Sequence, residues 1–315
     1  MAVFSTLIER LSAQLIGRSA LIERLVISLL CDGHILLEGA PGLAKTRAIK
    51  LFADAIDTQF ARIQATPDLL PADLTGTTVY RQQDSRFEFM PGPLFNHVIL
   101  VDEINRAPPK VQSALLEAMA EKQITVAGTT HRLPSPFLVA ATQNPIEHEG
   151  TFALPEAQLD RFLFFVELGL PDAQEERRIL DLLLSEDAAQ NLTGQVLVTH
   201  DALRQAAVEI QAVHISEAVR DYIVRLVDAT RGGGPGGRHA VHIEHPASPR
   251  ASIGMARAAR AKAWLDGRDH VLPTDVSDLC ADILTGRIGL NYQARASGIS
   301  TRSVVLDILN DTTIT

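Results

Sequence analysis

The sequence predicts an α/β domain, a parallel sheet covered by helices, followed by an all-helical domain. Three observations carry that prediction. Apolar runs in the first half are continuous rather than alternating: HILLE at 34–38, HVILV at 97–101, FLVAAT at 137–142 and FLFFV at 162–166. Strands buried on both faces of a parallel sheet read this way. Helical periodicity lies between most of these runs, as in VQSALLEAMAE at 111–121. From about residue 172 the strand-like runs cease and helical spacing continues alone.

The elements follow in order. In LIERLVISLL, residues 21–30, Leu21, Ile22, Leu25, Val26 and Leu29 share one helical face. Asp32–Gly33 ends that helix, and HILLE forms a short buried strand. EGAPGLAKT comes next, and Ala48, Ile49, Phe52 and Ile56 resume a helical spacing. QFARIQ at 59–64 is a weaker strand. Two hairpins interrupt the alternation. VYRQQDSRFEFM at 79–90 sets Arg81 and Arg86 against Asp84 and Glu88, and KQITVAGTTHRL at 122–133 alternates around Gly128. The texture places a first domain at 1–171 and a second at 172–315. Asp172 and Glu175 suit a capping box at the start of a helix. Further helices are expected near 201–213, 217–230, 249–265, 274–285 and 302–310. RGGGPGGR at 231–238 reads as a flexible loop inside the second domain.

Composition narrows the function classes. The chain has 315 residues, 46% of them hydrophobic, enough for a sizeable core. A net charge of −9 with 5% aromatics argues against a general nucleic-acid binder. Cys31 and Cys280 cannot form a disulfide framework. MAVFSTLIERLSAQL has no signal-peptide layout, and charges interrupt every apolar run before it reaches membrane-spanning length. The expectation is a soluble, cytoplasmic protein without a membrane span.

The chemistry begins at residues 38–46. A phosphate-binding loop follows G-x-x-x-x-G-K-[ST], and here Gly39, Lys45 and Thr46 are in place while Ala44 stands at the second glycine position. Gly39 and Gly42 let the backbone bend close to an anion, and Lys45 reaches the β and γ phosphates. Thr46 offers a hydroxyl to Mg²⁺. The methyl of Ala44 is tolerated there if its φ is negative, because only a positive φ makes glycine nearly obligatory. The other reading is a tight strand-to-helix turn.

VILVDE at 98–103 ends a buried strand on two adjacent carboxylates. Ligands in open α/β sheets bind beyond the carboxyl ends of strands. Asp102 there can hold Mg²⁺, and Glu103 can polarise an attacking water. Asn144, in AATQNP, can hydrogen-bond a γ-phosphate and that water, or serve as a turn residue before Pro145. Arg161, in PEAQLDRF, can neutralise charge on a transferring phosphoryl group, or pair with Asp160 or Glu156. In SPRAS, Ser248 caps a helix and Pro249 suits its first turn, which puts Arg250 at the positive end of the helix dipole. A bound phosphate would resolve that conflict. His239, His242 and His245 in HAVHIEH lack accompanying cysteines and follow a glycine-rich stretch, so they read as a loop rather than a metal site. His34 and His97 read as packing or edge residues. No guanine-reading NKxD motif is present, which favours ATP over GTP.

Taken jointly, GAPGLAKT, VILVDEINRAPPKVQSALLEAM, ATQNP, LPEAQLDRF and SPRAS resemble the MoxR family of AAA+ ATPases. The resemblance runs from about residue 16 to the last residue. It implies a P-loop AAA+ core with a helix-2 insert hairpin at 79–90, followed by a helical lid. It implies ATP and Mg²⁺ as ligands. The nucleotide would be held by Gly39, Ala40, Pro41, Gly42, Leu43, Ala44, Lys45 and Thr46, with Ile16 and Gly17 near the adenine and Thr46 and Asp102 on the metal. Glu103, sensor 1 Asn144, arginine finger Arg161 and sensor 2 Arg250 would be catalytic. Arg161 would reach a neighbouring subunit's ATP, while the resemblance leaves open whether Arg250 acts within its own subunit. Arg106 is similar to an intersubunit residue in such rings. The family implies a ring, a hexamer, that remodels a protein client, often in metalloenzyme maturation, with a von Willebrand factor A-domain partner. The competing readings are a chelatase-type motor subunit, a nucleic-acid-stimulated ATPase and a scaffold that binds ATP without hydrolysing it. An acidic balance and a charge-neutral hairpin argue against nucleic acid.

Overall fold

The computed structural model describes residues 1–40, 42–83, 85–144, 150–186 and 196–314. In chain order the elements are α1 (Ala2–Gln14), α2 (Ser19–Leu30), β1 (Ile35–Gly39), α3 (Lys45–Asp54), β2 (Phe60–Gln64), α4 (Pro71–Thr75), β3 (Gly76–Arg81), β4 (Arg86–Pro91), β5 (Val98–Asp102), α5 (Pro109–Glu121), β6 (Gln123–Val126), β7 (Thr129–Arg132) and β8 (Leu138–Gln143). They continue with α6 (Glu156–Leu159), β9 (Phe164–Leu168), α7 (Ala173–Glu186), α8 (His200–Ala212), α9 (Glu217–Ala229), β10 (Ile243–His245), α10 (Pro249–Leu265), α11 (Pro273–Leu284), β11 (Gly289–Leu290), α12 (Tyr292–Ala296) and α13 (Thr301–Asp311). Two compact units share them. One comprises Ala2–Leu154 and Val166–His200; the other comprises Met1, Pro155–Phe165 and the chain from Asp201 onward.

The first unit is built on a five-stranded sheet in the order β2–β5–β8–β1–β9. β2, β5, β8 and β1 pair in parallel, as the continuous apolar runs require. Leu36, Leu37, Val98, Ile99, Leu100, Leu138 and Val139 are fully buried. α2 and α3 cover the sheet with the predicted faces: Leu21, Ile22, Leu25 and Val26 from one, Ala48, Ile49 and Phe52 from the other. The register decides where the chemistry sits. Gln64 lies opposite Asp102, and Glu38 opposite Gln143. The carboxyl ends of four parallel strands are therefore level, and the segments leaving them converge.

Both predicted hairpins form. β3 pairs with β4, and Arg81 is ion-paired to Glu88 across the ladder; Asp84 lies outside the described residues. β6 pairs with β7 through Ala127 and Gly128, both at positive φ. The His131 ring stacks on Phe89 at 4.1 Å, which ties the two hairpins together. The capping box of α7 is present. Asp172 Oδ1 accepts from the Glu175 amide at 2.8 Å, and Glu175 returns an acceptor to the Asp172 amide at 3.2 Å.

The second unit is helical. Leu226, Met255, Val276, Leu279, Ile283 and Val305 are among its buried side chains. Two features differ from the sequence reading. A short antiparallel ribbon, β10 with β11, joins the helices. The glycine-rich stretch is ordered structure, not a flexible loop. Pro235–His242 is 3₁₀ helix, and Arg231 donates from Nη2 to the Ala247 carbonyl at 2.8 Å. A Cβ on Gly237 would meet the Gly232 backbone at 2.4 Å, so this glycine serves close packing. His239 Nε2 bonds Asp311, and no group of three or more metal-ligating side chains exists among the described residues. No described helix is long and apolar enough to cross a membrane.

Candidate nucleotide site

β1 delivers its last residue, Gly39, to the start of the loop. A Cβ there would sit 2.8 Å from the Leu168 carbonyl oxygen, so glycine is required by close approach. Gly42 has φ +85, the left-handed conformation that favours glycine. Ala44 departs from expectation. Its φ is +57 and ψ 23, left-handed rather than negative, and it forms the N-cap of α3. The fold holds a methyl where the usual loop has glycine, at a backbone cost of about 1–2 kcal/mol. No side-chain cap bonds the start of α3, which leaves the loop and helix N-terminus arranged for an anion. Ala40 follows β1 directly, and Pro41 lies outside the described residues.

Lys45, first residue of α3, donates from Nζ to the Gly39 carbonyl at 2.7 Å and to the Gln143 carbonyl at 3.4 Å. It therefore spans the ends of β1 and β8. Burial comes first in raising the pKa of Glu38, with Glu167 adding to the rise and Lys45 opposing it. Thr46 donates from Oγ1 to Asp102 Oδ1 at 3.3 Å. Thr142 Oγ1 donates to the same oxygen at 3.3 Å and accepts from the Glu103 amide at 2.9 Å. One strand-end threonine thus orients both carboxylate residues. Thr46 and Asp102 present adjacent hard oxygens, the donor chemistry that Mg²⁺ takes.

Glu103 is the second non-glycine residue of the site at positive φ, +56 with ψ 50. Strained backbone of this kind concentrates at functional positions. Its Oε2 accepts from Gln64 Nε2 at 3.1 Å and from Arg106 Nη1 at 3.1 Å. The turn beyond it is locked by Gln112, 1% exposed, whose Nε2 donates to the carbonyls of Ile104, Ala107 and Phe152. Asn144 is buried one residue past β8. Sequence reading missed Arg62, Gln64 and Thr142. Arg62 Nε donates to Asp102 Oδ2 at 2.7 Å. The signal was their spacing: Arg62 and Gln64 are two apart on a strand and so share a face.

A cavity of about 300 Å³ adjoins the loop. Leu15, Ile16, Leu43, Pro171, Ile179 and Leu182 give it apolar walls; Gly42, Ala44, Gln14, Arg18, Arg47 and Glu176 complete it. This is the composition of a small-molecule pocket, apolar with few polar groups. Gly17 beside it has φ +72, and a Cβ there would strike the Glu175 carboxylate.

Arg161 and Arg250 belong to the other unit. Ser248 caps α10 as predicted, accepting from the Arg250 amide at 3.1 Å, with Pro249 in the first turn. Ser248 Oγ also donates to Asp160 Oδ2 at 2.8 Å, and Arg250 Nη1 lies 3.5 Å from that oxygen. The anion that offsets Arg250's unfavourable place on the helix dipole is thus a carboxylate of the protein itself. A phosphate is not needed to explain it.

Comparison with known proteins agrees with this geometry. Residues 34–164 match the ATPase family associated with various cellular activities (AAA), and residues 237–308 match the AAA lid domain. Chaperone MoxR1 of Mycobacterium tuberculosis is 47% identical over 94% of this chain and 78% of its own length. The chain belongs to the MoxR family of AAA+ ATPases. Protein MoxR of Paracoccus denitrificans, another member, is 35% identical over 92% of this chain and 90% of its own. A crystal structure of a candidate ATPase from Cytophaga hutchinsonii superposes with a TM-score of 0.91 at 45% identity. The match covers all of this chain and 95% of that one. MoxR membership accounts for the core, the hairpin and the helical lid together.

Proposed function

We propose that this chain is a Mg²⁺-dependent ATPase that remodels protein complexes as an oligomeric ring. One observation carries the reading. Gly39–Thr46, Asp102–Glu103 and Asn144 all leave the level carboxyl ends of adjacent parallel strands. In this reading the loop and Lys45 hold the β and γ phosphates, and the adjoining cavity takes the base beside Ile16 and Gly17. Thr46 and Asp102 would hold Mg²⁺, which when bound supplies charge neutralisation for the phosphates. Glu103 orients a water for in-line attack and takes its proton. The water oxygen bonds to the γ phosphorus as the bond to the bridging oxygen breaks. Asn144 fixes the water. Arg161 from a neighbouring protomer neutralises the developing charge, and Arg250 contributes from the lid. We assign the functional domains to 1–171 and 172–315.

Family membership supports a ring, a protein client and a von Willebrand factor A-domain partner, and the name of the mycobacterial relative supports a chaperone role. Maturation of complexes, metalloenzymes among them, is the expected outcome. The test is ATP turnover per subunit across protein concentration, run with wild type and Glu103→Gln. A wild-type specific rate that rises with concentration, and a variant that binds nucleotide but turns over about 10²–10⁴-fold more slowly, are expected. Full activity of Glu103→Gln would sink the assignment of the general base. A constant rate for a chain that sediments as a monomer would sink the intersubunit site.

A further inference from the structure

Arg287 is 8% exposed, a cation buried in the second unit with no place in the roles above. What it binds is specific. Its Nε donates to Asp160 Oδ1 at 3.2 Å, its Nη1 to the Leu163 carbonyl at 2.9 Å and to the Ile283 carbonyl of its own preceding helix at 2.5 Å, and its Nη2 to the Phe162 carbonyl. One guanidinium therefore grips residues 160, 162 and 163, immediately flanking Arg161. The Arg161 side chain is outside this set of bonds. Asp160 carries the grip onward: its other oxygen accepts from Ser248, the N-cap of α10, and lies 3.5 Å from Arg250.

Burying such an ion costs free energy that well-packed apolar side chains would avoid. Desolvation lowers the Arg287 pKa to about 10, opposed by Asp160, so it stays charged at neutral pH. Only the planar fork of arginine serves a carboxylate and three carbonyls in different directions; a lysine ammonium is a point charge. A costly group retained in one geometry needs a task for that geometry.

We propose that Arg287 and Asp160 are positioning residues that fix the backbone on both sides of Arg161 and hold it in register with Arg250. The proposal rests on the reading of Arg161 as a catalytic arginine. Misplacing a reacting group by about 1 Å can cost about a hundredfold in rate. Neither positioning residue is among those assigned to the nucleotide, so their loss should leave binding alone.

The test uses the full chain with Asp160→Asn, Arg287→Lys and Arg161→Ala, and the double variants with Arg161→Ala. Turnover, nucleotide affinity, oligomeric state and melting temperature are measured for each. Asp160→Asn and Arg287→Lys are expected to lower kcat by about tenfold to a hundredfold. Nucleotide affinity should stay within about twofold, and neither change should lower kcat further when Arg161 is already alanine. Equal losses in both backgrounds would overturn the proposal, as would an unchanged kcat in a folded Asp160→Asn or Arg287→Lys chain. Should Arg287→Lys fail to fold, Asp160→Asn decides, because it leaves the carbonyl bonds of Arg287 in place. An Arg161→Ala chain with normal turnover and assembly would instead sink the catalytic reading of Arg161, and the proposal with it. The single variant therefore separates the two failures.

Discussion

Ala44 shows how much a single residue can conceal. Its identity, at the glycine position of a phosphate loop, is legible in the sequence; its φ of +57 is not. An alanine in the left-handed region costs about 1–2 kcal/mol, less what glycine loses in chain entropy. Ala44→Gly is therefore expected to stabilise the folded chain by about 0.5–1 kcal/mol. Urea unfolding at constant m checks it. A lower midpoint for the variant would mean that the methyl contributes packing that outweighs its strain. The same scale explains why Lys45, Thr46, Asp102 and Glu103 were legible. Asp102 and Glu103 stand at the end of an apolar run, where the pattern itself marks the strand end, and Lys45 and Thr46 complete the loop pattern that Gly39 opens. Thr142 was not legible, because a threonine inside FLVAAT reads as one more β-branched strand residue.

At the scale of elements, β2 was the weakest strand in the sequence and proves central to the site. Its burial alternates poorly because its outward face is occupied by Arg62 and Gln64, which serve Asp102 and Glu103. A strand recruited to hold polar chemistry loses the apolar signature that reveals strands. Conversely, Gly233, Gly236 and Gly237, read as looseness in RGGGPGGR, prove to be close-packing positions, since a sequence does not show what a missing side chain would collide with. The placement of Arg62 has a consequence for metal binding. Its guanidinium, 2.7 Å from Asp102 Oδ2, neutralises charge that Mg²⁺ would otherwise see. Arg62→Ala should lower the Mg²⁺ concentration that half-saturates nucleotide binding by about threefold to tenfold, a modest figure because Arg62 is half-exposed. Mg²⁺ titration of fluorescent ADP binding measures it. A higher Mg²⁺ requirement would show that Arg62 chiefly orients the carboxylate.

For the whole molecule, the level strand ends turn a set of separated motifs into one site, and packing allocates residues differently from chain order. Residues 155–165 group with the chain beyond 201, and 166–200 with the sheet, while the composition change near 172 follows the last strand of the five-stranded sheet. Stability of the whole chain should also depend on pH through a residue far from the proposed chemistry. His34 is buried; its Nδ1 accepts from the Val139 amide at 3.0 Å, and its Nε2 faces the Met119 carbonyl at 3.3 Å. That pattern fits a neutral ring. Desolvation lowers its pKa from 6.5 to about 4, only partly offset by the Met119 carbonyl. Unfolded chains therefore bind a proton between these values that the native chain refuses, so stability falls as pH drops through that window. The full difference is on the order of 3 kcal/mol. His97, lowered by burial and by His200, acts in the same direction; Glu38, raised by burial from 4.5, acts in the opposite one from 4.5 upward, within the same window. Urea midpoints measured at several pH values from about 7.5 down to about 4.5 should decline, and His34→Leu should flatten the decline while lowering stability at neutral pH through its lost hydrogen bonds. An equally steep decline in the variant would assign the acid sensitivity to groups other than His34.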